Sequence, residues 1–212
     1  MHDGIDCRSR SPDIEVAELS RREIPLGAEV VALSLCDNPT HIILHGDNRE
    51  RRIRILRRMG QVALVTRQHP AITARRNGAI VAVLSAAPPG TCVPSMAQQL
   101  GTLASILRLG PSTASRLLQF GAAAAKHEPR ERHWHLGPVT VVPKAQSQGI
   151  GSRIMREFCQ EADGTGDATY LETDKLENVG FYEQFGFETV GETELLEVPY
   201  WFMRRSPQPL PR

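Results

Sequence analysis

The stretch QSQGIG, Gln146 to Gly151, has two glycines one residue apart, after the apolar run VTVV and before a helical pattern. A helix N-terminus presents unpaired backbone N–H groups and a partial positive charge. Glycine residues let an anion approach such a backbone without a side-chain collision. The stretch therefore predicts a phosphate-binding loop.

Two common phosphate-binding loops are excluded by the residues around the second glycine. A Walker loop has Lys and then Ser or Thr directly after that glycine, but Ser152 and Arg153 follow Gly151 here. A Rossmann fingerprint has Gly or Ala three residues further on, and this position is Ile154. The ligand of the loop must be sought in another class.

A third class is the loop of the GNAT acyl-CoA N-acetyltransferases: Gln or Arg, two residues, Gly, one residue, then Gly or Ala. QSQGIG matches every fixed position, and VTVVP supplies the strand and proline expected before it. The chain therefore resembles the GNAT superfamily. NPTHIILHGDNRERRIRILRRM and SAAPPGT resemble its actinobacterial puromycin N-acetyltransferase-like branch. The downstream Asn, aromatic pair and Gly-Phe of the family are present as Asn178, Phe181, Tyr182, Gly186 and Phe187.

The resemblance implies acetyl-CoA as the acetyl donor. Its pyrophosphate would lie on the backbone N–H groups from Gln148 to Ser152, and Gln146 would contact it or shape the loop. The arm would run beside VTV, and Asn178 would hold it or cap a helix. Val142 stands where many relatives have Asp. The implied cofactor-binding residues are Val139, Thr140, Val141, Gln146, Ser147, Gln148, Gly149, Ile150, Gly151, Ser152 and Asn178.

Acetyl transfer to an amine needs a neutral amine, a polarised thioester and a proton for the thiolate. By resemblance Tyr182 donates that proton, unless it only packs beside Phe181. Glu172, at a strand end, would take the ammonium proton or form a salt bridge. His133 and His135 alternate on one strand and share a face. Each is a candidate for the base or for substrate binding. With no third ligand evident and no HExxH motif, we predict no metal site.

These residues must be positioned by a fold of mixed type. From His133 onward, strand, glycine loop, helix, strand, helix and strand follow one another, which indicates an α/β pattern with a partly parallel sheet. The resemblance implies a GNAT fold of class α/β (α+β), with a central mixed, splayed sheet flanked by helices. We expect one domain over residues 13–205 with a helical insertion at about 94–127, and disorder in 1–12 and 206–212.

Two helices have predicted buried faces. One helix begins with Asp47 or Asn48 as its N-cap and is predicted to bury Ile55, Met59 and Val62. The helix after the glycine loop repeats an apolar residue every fourth position and is predicted to end near Gly164. Its predicted buried stripe is Ile150, Ile154, Phe158 and Ala162.

The composition limits the function classes. The 212 residues carry a formal net charge of +1, which disfavours nucleic acid and anionic membranes as partners. The four cysteines are scattered, and no signal-like core is present, so we expect a cytoplasmic protein. We expect an N-acetyltransferase of a primary amine, with a small molecule as the first candidate acceptor. The alternative is a non-catalytic acyl-CoA-binding module; the oligomeric state is open, with a homodimer among the options.

Overall fold

The structure, a computed structural model, describes residues 14–91 and 111–209. Within these residues one seven-stranded sheet has the order β1-β2-β3-β4-β5-β7-β6. Neighbouring strands are antiparallel except β4 and β5, which are parallel, so the predicted mixed sheet is confirmed. The strands are β1 Ile14–Glu18, β2 Ile72–Arg76, β3 Ala79–Ala87, β4 His133–Val141, β5 Ala168–Thr173, β6 Glu188–Leu195 and β7 Val198–Arg205.

Helices flank both faces of this sheet. α1 packs on α3 and on β3 and β4, whereas α5 packs on β2, β3 and β4 from the other side. The predicted segment 1–12 and residues 94–110 of the predicted insertion lie outside the described residues. Within residues 14–91 and 111–209, no helix has the length and hydropathy of a membrane span. The helices are α1 Ile24–Leu35, α2 Pro39–His45, α3 Arg49–Thr66, α4 Pro111–Ala124, α5 Ile150–Thr165 and α6 Leu176–Glu183, with 3-10 turns at Arg21–Glu23 and Pro143–Ala145.

Strand alternation separates two cores. Leu84 of β3 lies in the core beneath α5, and its neighbour Val83 lies in the core with α1. The same period of two places Trp134 on the α5 side of β4 and leaves His133 and His135 on the opposite side. The two histidines therefore share a face, as the sequence predicts.

The sheet opens between its two parallel strands. β4 pairs with β5 only from His133 to His135, where the partners run from Ala168 to Tyr170. Beyond this point, among the described strands, β4 pairs only with β3, and β5 only with β7. From Leu136 to Val141 the β4 edge that faces β5 therefore has no strand partner within residues 14–91 and 111–209, which is the splay the sequence analysis expects.

The apolar stripe of α5 is confirmed. Its four predicted residues are all buried beneath the sheet. The helix ends at Thr165, with Gly166 in the left-handed conformation (φ 73°) as its C-cap, slightly beyond the predicted end at Gly164. The backbone N–H of Gln208 donates to the Asp163 carboxylate at 2.7 Å, so the chain just after β7 contacts this helix.

The apolar face predicted for α3 is not the face that the helix buries, and Ile55 alone of its three residues is partly buried. Asn48 is the N-cap, and its side chain accepts a hydrogen bond from the Arg51 N–H at 2.8 Å. Met59 and Val62, however, are 41% and 63% exposed. The residues that α3 buries are Arg52, Leu56 and Gly60.

Two features orient α3 so that Arg52, Leu56 and Gly60 face the interior. A Cβ on Gly60 would lie 3.5 Å from the Cα of Ala28, an ordinary van der Waals contact, so α3 packs closely on the backbone of α1 at this position. The buried Arg52 guanidinium donates to three backbone carbonyls between α1 and α3 and to the Asp37 carboxylate at 2.9 Å. A buried charge with all these acceptors is tolerated, because its lost hydration is replaced.

Candidate active site

The glycine loop ends in a set of unpaired amides. Ser147 and Gly149 have positive φ angles of 58° and 75°, which turn the backbone sharply before α5. The first intrahelical bond runs from the Arg153 N–H to the Gly149 carbonyl at 3.1 Å. Among the described residues, the amides of the first helical turn, from Ile150 to Ser152, have no hydrogen-bond acceptor. Because these amides lie at the positive end of the helix dipole, the loop can hold an anion.

Two glutamines shape this loop. The Gln146 amide donates to the Val141 carbonyl at 3.0 Å, and the Gln148 amide donates to the Lys144 carbonyl at 3.1 Å. Both bonds tie the loop back to the chain that precedes it. The alternative in which Gln146 shapes the loop therefore has direct geometric support.

The two glycines of the loop have different surroundings. A Cβ on Gly149 would meet nothing within 4 Å, but the left-handed φ would strain it. A Cβ on Gly151 would lie 3.3 Å from the Phe181 ring and 3.6 Å from the Val141 side chain. Gly149 thus keeps the loop open, and Gly151 allows α5 to pack closely on α6.

The loop adjoins the unpaired edge of β4. Val139, Thr140 and Val141 pair with β3 on one side and leave the other side without a strand partner in the described chain. The Thr140 hydroxyl is buried and donates to the Val83 carbonyl at 2.9 Å, so its side chain stabilises the sheet. Val142 packs against both cores. An Asp at position 142 would lose this apolar packing.

Tyr182 and Glu172 lie near each other at the splay. Burial raises the pKa of the Tyr182 phenol, and the negative charge of Glu172 raises it further. Among the described residues the Tyr182 hydroxyl makes no hydrogen bond, although its ring packs on Phe181 and Phe187. The phenol is therefore held neutral and has a proton to donate.

The alternative N-cap role of Asn178 is wrong, because Lys175 occupies the N-cap of α6. The Asn178 side-chain amide instead donates to the Thr173 hydroxyl at 3.0 Å. This bond ties the first turn of α6 to the end of β5. It uses one N–H of the amide and leaves the side-chain oxygen available to a ligand.

A cluster of histidines and carboxylates lies on the other face of the splay. The His135 ring donates to the Glu172 carboxylate at 3.0 Å and contacts the Glu128 carboxylate at 3.0 Å through its other nitrogen. The same Glu128 oxygen lies 3.0 Å from His133 Nε2. Glu128 was missed by the sequence analysis, although an acidic residue just upstream of a His-x-His strand was a usable signal.

The charges of this cluster are strongly coupled. Burial lowers the pKa of His135, but the hydrogen bonds with Glu128 and Glu172 outweigh it and raise the pKa to about 10. Burial raises the pKa of Glu128, and its bonds to His135 and His133 outweigh that and lower it. At neutral pH His135 is therefore a cation between two carboxylates. An imidazolium cannot act as a base.

An open pocket of about 380 Å³ lies elsewhere, between α2, α4 and the turn that joins β6 to β7. Arg116 and Glu197 are among its lining residues. None of the predicted cofactor or catalytic residues lines it, so it is separate from the splay.

A family model described as an acetyltransferase (GNAT) domain matches residues 114–189. The chain is 21% identical to a protein from Corynebacterium glutamicum described as histone acetyltransferase HPA2 and related acetyltransferase, with a TM-score of 0.69 over 93% of this chain and 99% of that one. It is 13% identical to an agmatine N-acetyltransferase, with a TM-score of 0.64 over 92% and 99%. A GNAT family acetyltransferase from Brucella melitensis in complex with acetyl-CoA is 16% identical, with a TM-score of 0.53 over 95% and 93%.

The chain has the GNAT fold. The matched domain runs from α4 to the beginning of β6 and includes the glycine loop, Glu172, Asn178 and Tyr182. GNAT acetyltransferases use acetyl-CoA. The fold and the domain match together support an acetyltransferase, and they leave its acceptor open.

Proposed function

We propose that this GNAT-fold protein is an acetyl-CoA-dependent N-acetyltransferase that acts on a primary amine of a small molecule. The observation that carries the proposal is the loop before α5, whose unpaired amides open beside the unpaired edge of β4. This combination offers an anion cradle and an extended hydrogen-bonding edge at the same end of the sheet. A pyrophosphate joined to an amide-containing arm requires both features.

The residues present suit this donor. The amides from Gln148 to Ser152 would hold the pyrophosphate, with Ser147 and Gln146 shaping the loop. The edge from Val139 to Val141 would pair with the amides of the arm, and the free oxygen of Asn178 would accept a further hydrogen bond. Bound acetyl-CoA supplies an activated acetyl group on a thiolate leaving group.

The catalytic groups follow from the charges at the splay. The neutral amine attacks the thioester carbonyl, the N–C bond forms, and the C–S bond breaks. Glu172 takes the proton that the amine loses, directly or through water, and the Tyr182 phenol protonates the departing thiolate. His135 is already protonated at neutral pH, which favours Glu172 over His135 as the base.

The acceptor side has an acidic character. Glu128 and Glu172 lie on the face of the sheet opposite α5 and flank His135. A cationic small molecule suits this face, and the similarity to an agmatine N-acetyltransferase agrees with such an acceptor. We also retain the puromycin N-acetyltransferase-like branch as a proposal, so aminonucleosides belong in the first screen. His133 and His135 would line the acceptor site, and the buried thiols of Cys36 and Cys159 suit the reducing cytoplasm.

The test is thiol release from acetyl-CoA against a panel of amines that contains aminonucleosides, polyamines and peptide amines. Turnover with one amine class and none without it supports the proposal. Acetyl-CoA binding without turnover on any amine would favour the alternative, a non-catalytic acyl-CoA-binding module. If calorimetry detects no binding of acetyl-CoA, both functions are excluded.

A further inference from the structure

Three side chains at the base of the splay converge on one point. The Glu128 oxygen lies 3.0 Å from His133 Nε2 and 3.0 Å from His135 Nδ1. These three atoms all lie within 4.8 Å of one another. Atoms that share a tetrahedral metal ion with bonds of about 2.0–2.2 Å lie roughly 3.3–3.6 Å apart, so small movements of these side chains would bring the three atoms to that spacing.

The outer nitrogens of both histidines are held by oxygen acceptors. His133 Nδ1 lies 2.8 Å from the Glu131 carbonyl, and His135 Nε2 lies 3.0 Å from the Glu172 carboxylate. The inner nitrogens share hydrogen bonds with Glu128, and a bound ion would take the place of the protons in those bonds and release them to solvent. The outer nitrogens would keep their protons on the oxygen acceptors. Metal-binding histidines almost always have this arrangement, because the outer bond fixes the tautomer and the ring orientation.

The rings are also fixed by packing. His133 is only 4% exposed, and the edge-on contacts of both rings with Tyr170 have centroid distances of 5.7 and 5.5 Å. Both histidines lie on β4, whereas Glu128 belongs to the segment between α4 and β4. A shared ligand would therefore tie this segment to the sheet.

We propose that Glu128, His133 and His135 form a binding site for a divalent transition-metal ion of the Zn²⁺ type. Two imidazoles and one carboxylate suit Zn²⁺ and its neighbours, while Mg²⁺ and Ca²⁺ prefer oxygen ligands alone. Three protein ligands leave one position of a tetrahedral ion for water or for a group of a bound molecule. Glu172 acts on this site as the outer carboxylate. The third ligand that the sequence analysis did not find comes from just upstream of the strand.

The chain contains a natural control for this geometry. His69 Nε2 lies 2.6 Å from the Glu161 carboxylate, so this contact joins an imidazole nitrogen to a carboxylate oxygen, as the contacts with Glu128 do. In the described residues the only group that satisfies the distances for a metal site is the cluster of Glu128, His133 and His135. A His–carboxylate pair alone should therefore not bind the ion.

The experiment is a calorimetric titration of the full chain with ZnCl₂ after dialysis against a chelator, without acetyl-CoA or any amine. We expect one equivalent of Zn²⁺ to bind, no comparable binding of Mg²⁺ or Ca²⁺, and a Co²⁺ visible absorption band that depends on His135. Glu128→Gln and His135→Gln should remove this binding. Glu172→Gln should weaken it by about 10–100-fold, and Glu161→Gln should leave it unchanged.

The absence of stoichiometric Zn²⁺ binding would overturn the proposal. So would binding that survives both Glu128→Gln and His135→Gln, or binding that Glu161→Gln weakens equally. Thermal melts separate loss of binding from loss of folding, and Glu172→Gln tests the site without altering a ligand. Because no acetyl donor is present, the result does not depend on the proposed acetyltransferase function.

Discussion

Replacement of Tyr182 by Phe separates the chemical role of its phenol from its packing role. The ring lies in the main core with Phe181 and Phe187, and Phe keeps all of that contact. In the described chain the hydroxyl has no hydrogen-bond partner whose loss would cost stability. We therefore expect the free energy of unfolding to change by less than about 1 kcal/mol.

The effect on the rate should be much larger. A general acid in position contributes about 10²–10⁴-fold to a rate, which corresponds to roughly 3–5 kcal/mol of barrier. Tyr182→Phe should lower kcat by a factor in this range at saturating amine, while the KM for acetyl-CoA changes little. The assay is thiol release with the best amine from the screen, combined with urea unfolding of both proteins.

Tyr200→Phe is the matched control. The Tyr200 hydroxyl shares a hydrogen bond of 2.5 Å with the Thr40 hydroxyl, so its removal should cost about 1 kcal/mol of stability and leave kcat within a few-fold. A kcat for Tyr182→Phe within about threefold of the parent value would refute the general-acid role. Threefold corresponds to roughly 0.7 kcal/mol of barrier, well below the roughly 3–5 kcal/mol expected of a general acid. An equal fall in both variants would point to a general loss of structure.

Three further variants test the cradle, the fold and a buried histidine. Gly149→Ala should raise the KM for acetyl-CoA and cost about 1–2 kcal/mol because its φ is 75°; Gly164→Ala, whose Cβ meets open space on the same helix, should do neither. Asp163→Asn should cost about 3–5 kcal/mol, because it removes the charge opposite the buried Arg205 and one of the two oxygen acceptors that the guanidinium contacts at 2.5 and 2.8 Å. Burial raises the pKa of Asp163, but those bonds outweigh it and lower the pKa; the parent should therefore lose stability as the pH falls below about 4, and the variant should not. Burial is the main cause that lowers the pKa of His45 to about 4. The unfolded chain therefore binds the proton at a higher pH than the folded protein, and the free energy of unfolding falls as the pH drops below about 6.5. His45→Leu should reduce that fall between pH 7 and pH 5, as measured by urea titrations.

The parts of this fold that the sequence predicts depend on short-range order. The stripe of α5, the Asn48 N-cap and the glycine loop are each encoded within a few consecutive residues. Periodicity and capping chemistry operate over this range. The alternation of side chains along β4 likewise predicts that both histidines lie on one face of the sheet.

The parts that it does not predict depend on contacts between distant segments. Arg52 is buried because backbone carbonyls between α1 and α3 accept hydrogen bonds from its guanidinium. Periodicity alone favours Met59 and Val62 as the buried residues. Glu128 lies in an irregular segment without a period to place it. Its place a few residues before the His-x-His strand makes it a candidate partner, but its contacts with His133 and His135 depend on how the end of α4 lies against β4.

The two proposed proton transfers are linked through one charge. The negative charge of Glu172 adds to burial in raising the pKa of the Tyr182 phenol, so the free enzyme keeps the phenol protonated. When Glu172 accepts the proton of the amine, that charge is neutralised and the pKa of the phenol falls. The phenol thus becomes a stronger acid at the stage when the thiolate needs a proton. With these proposed roles, the charge of Glu172 acts on Tyr182 so that the first transfer favours the second.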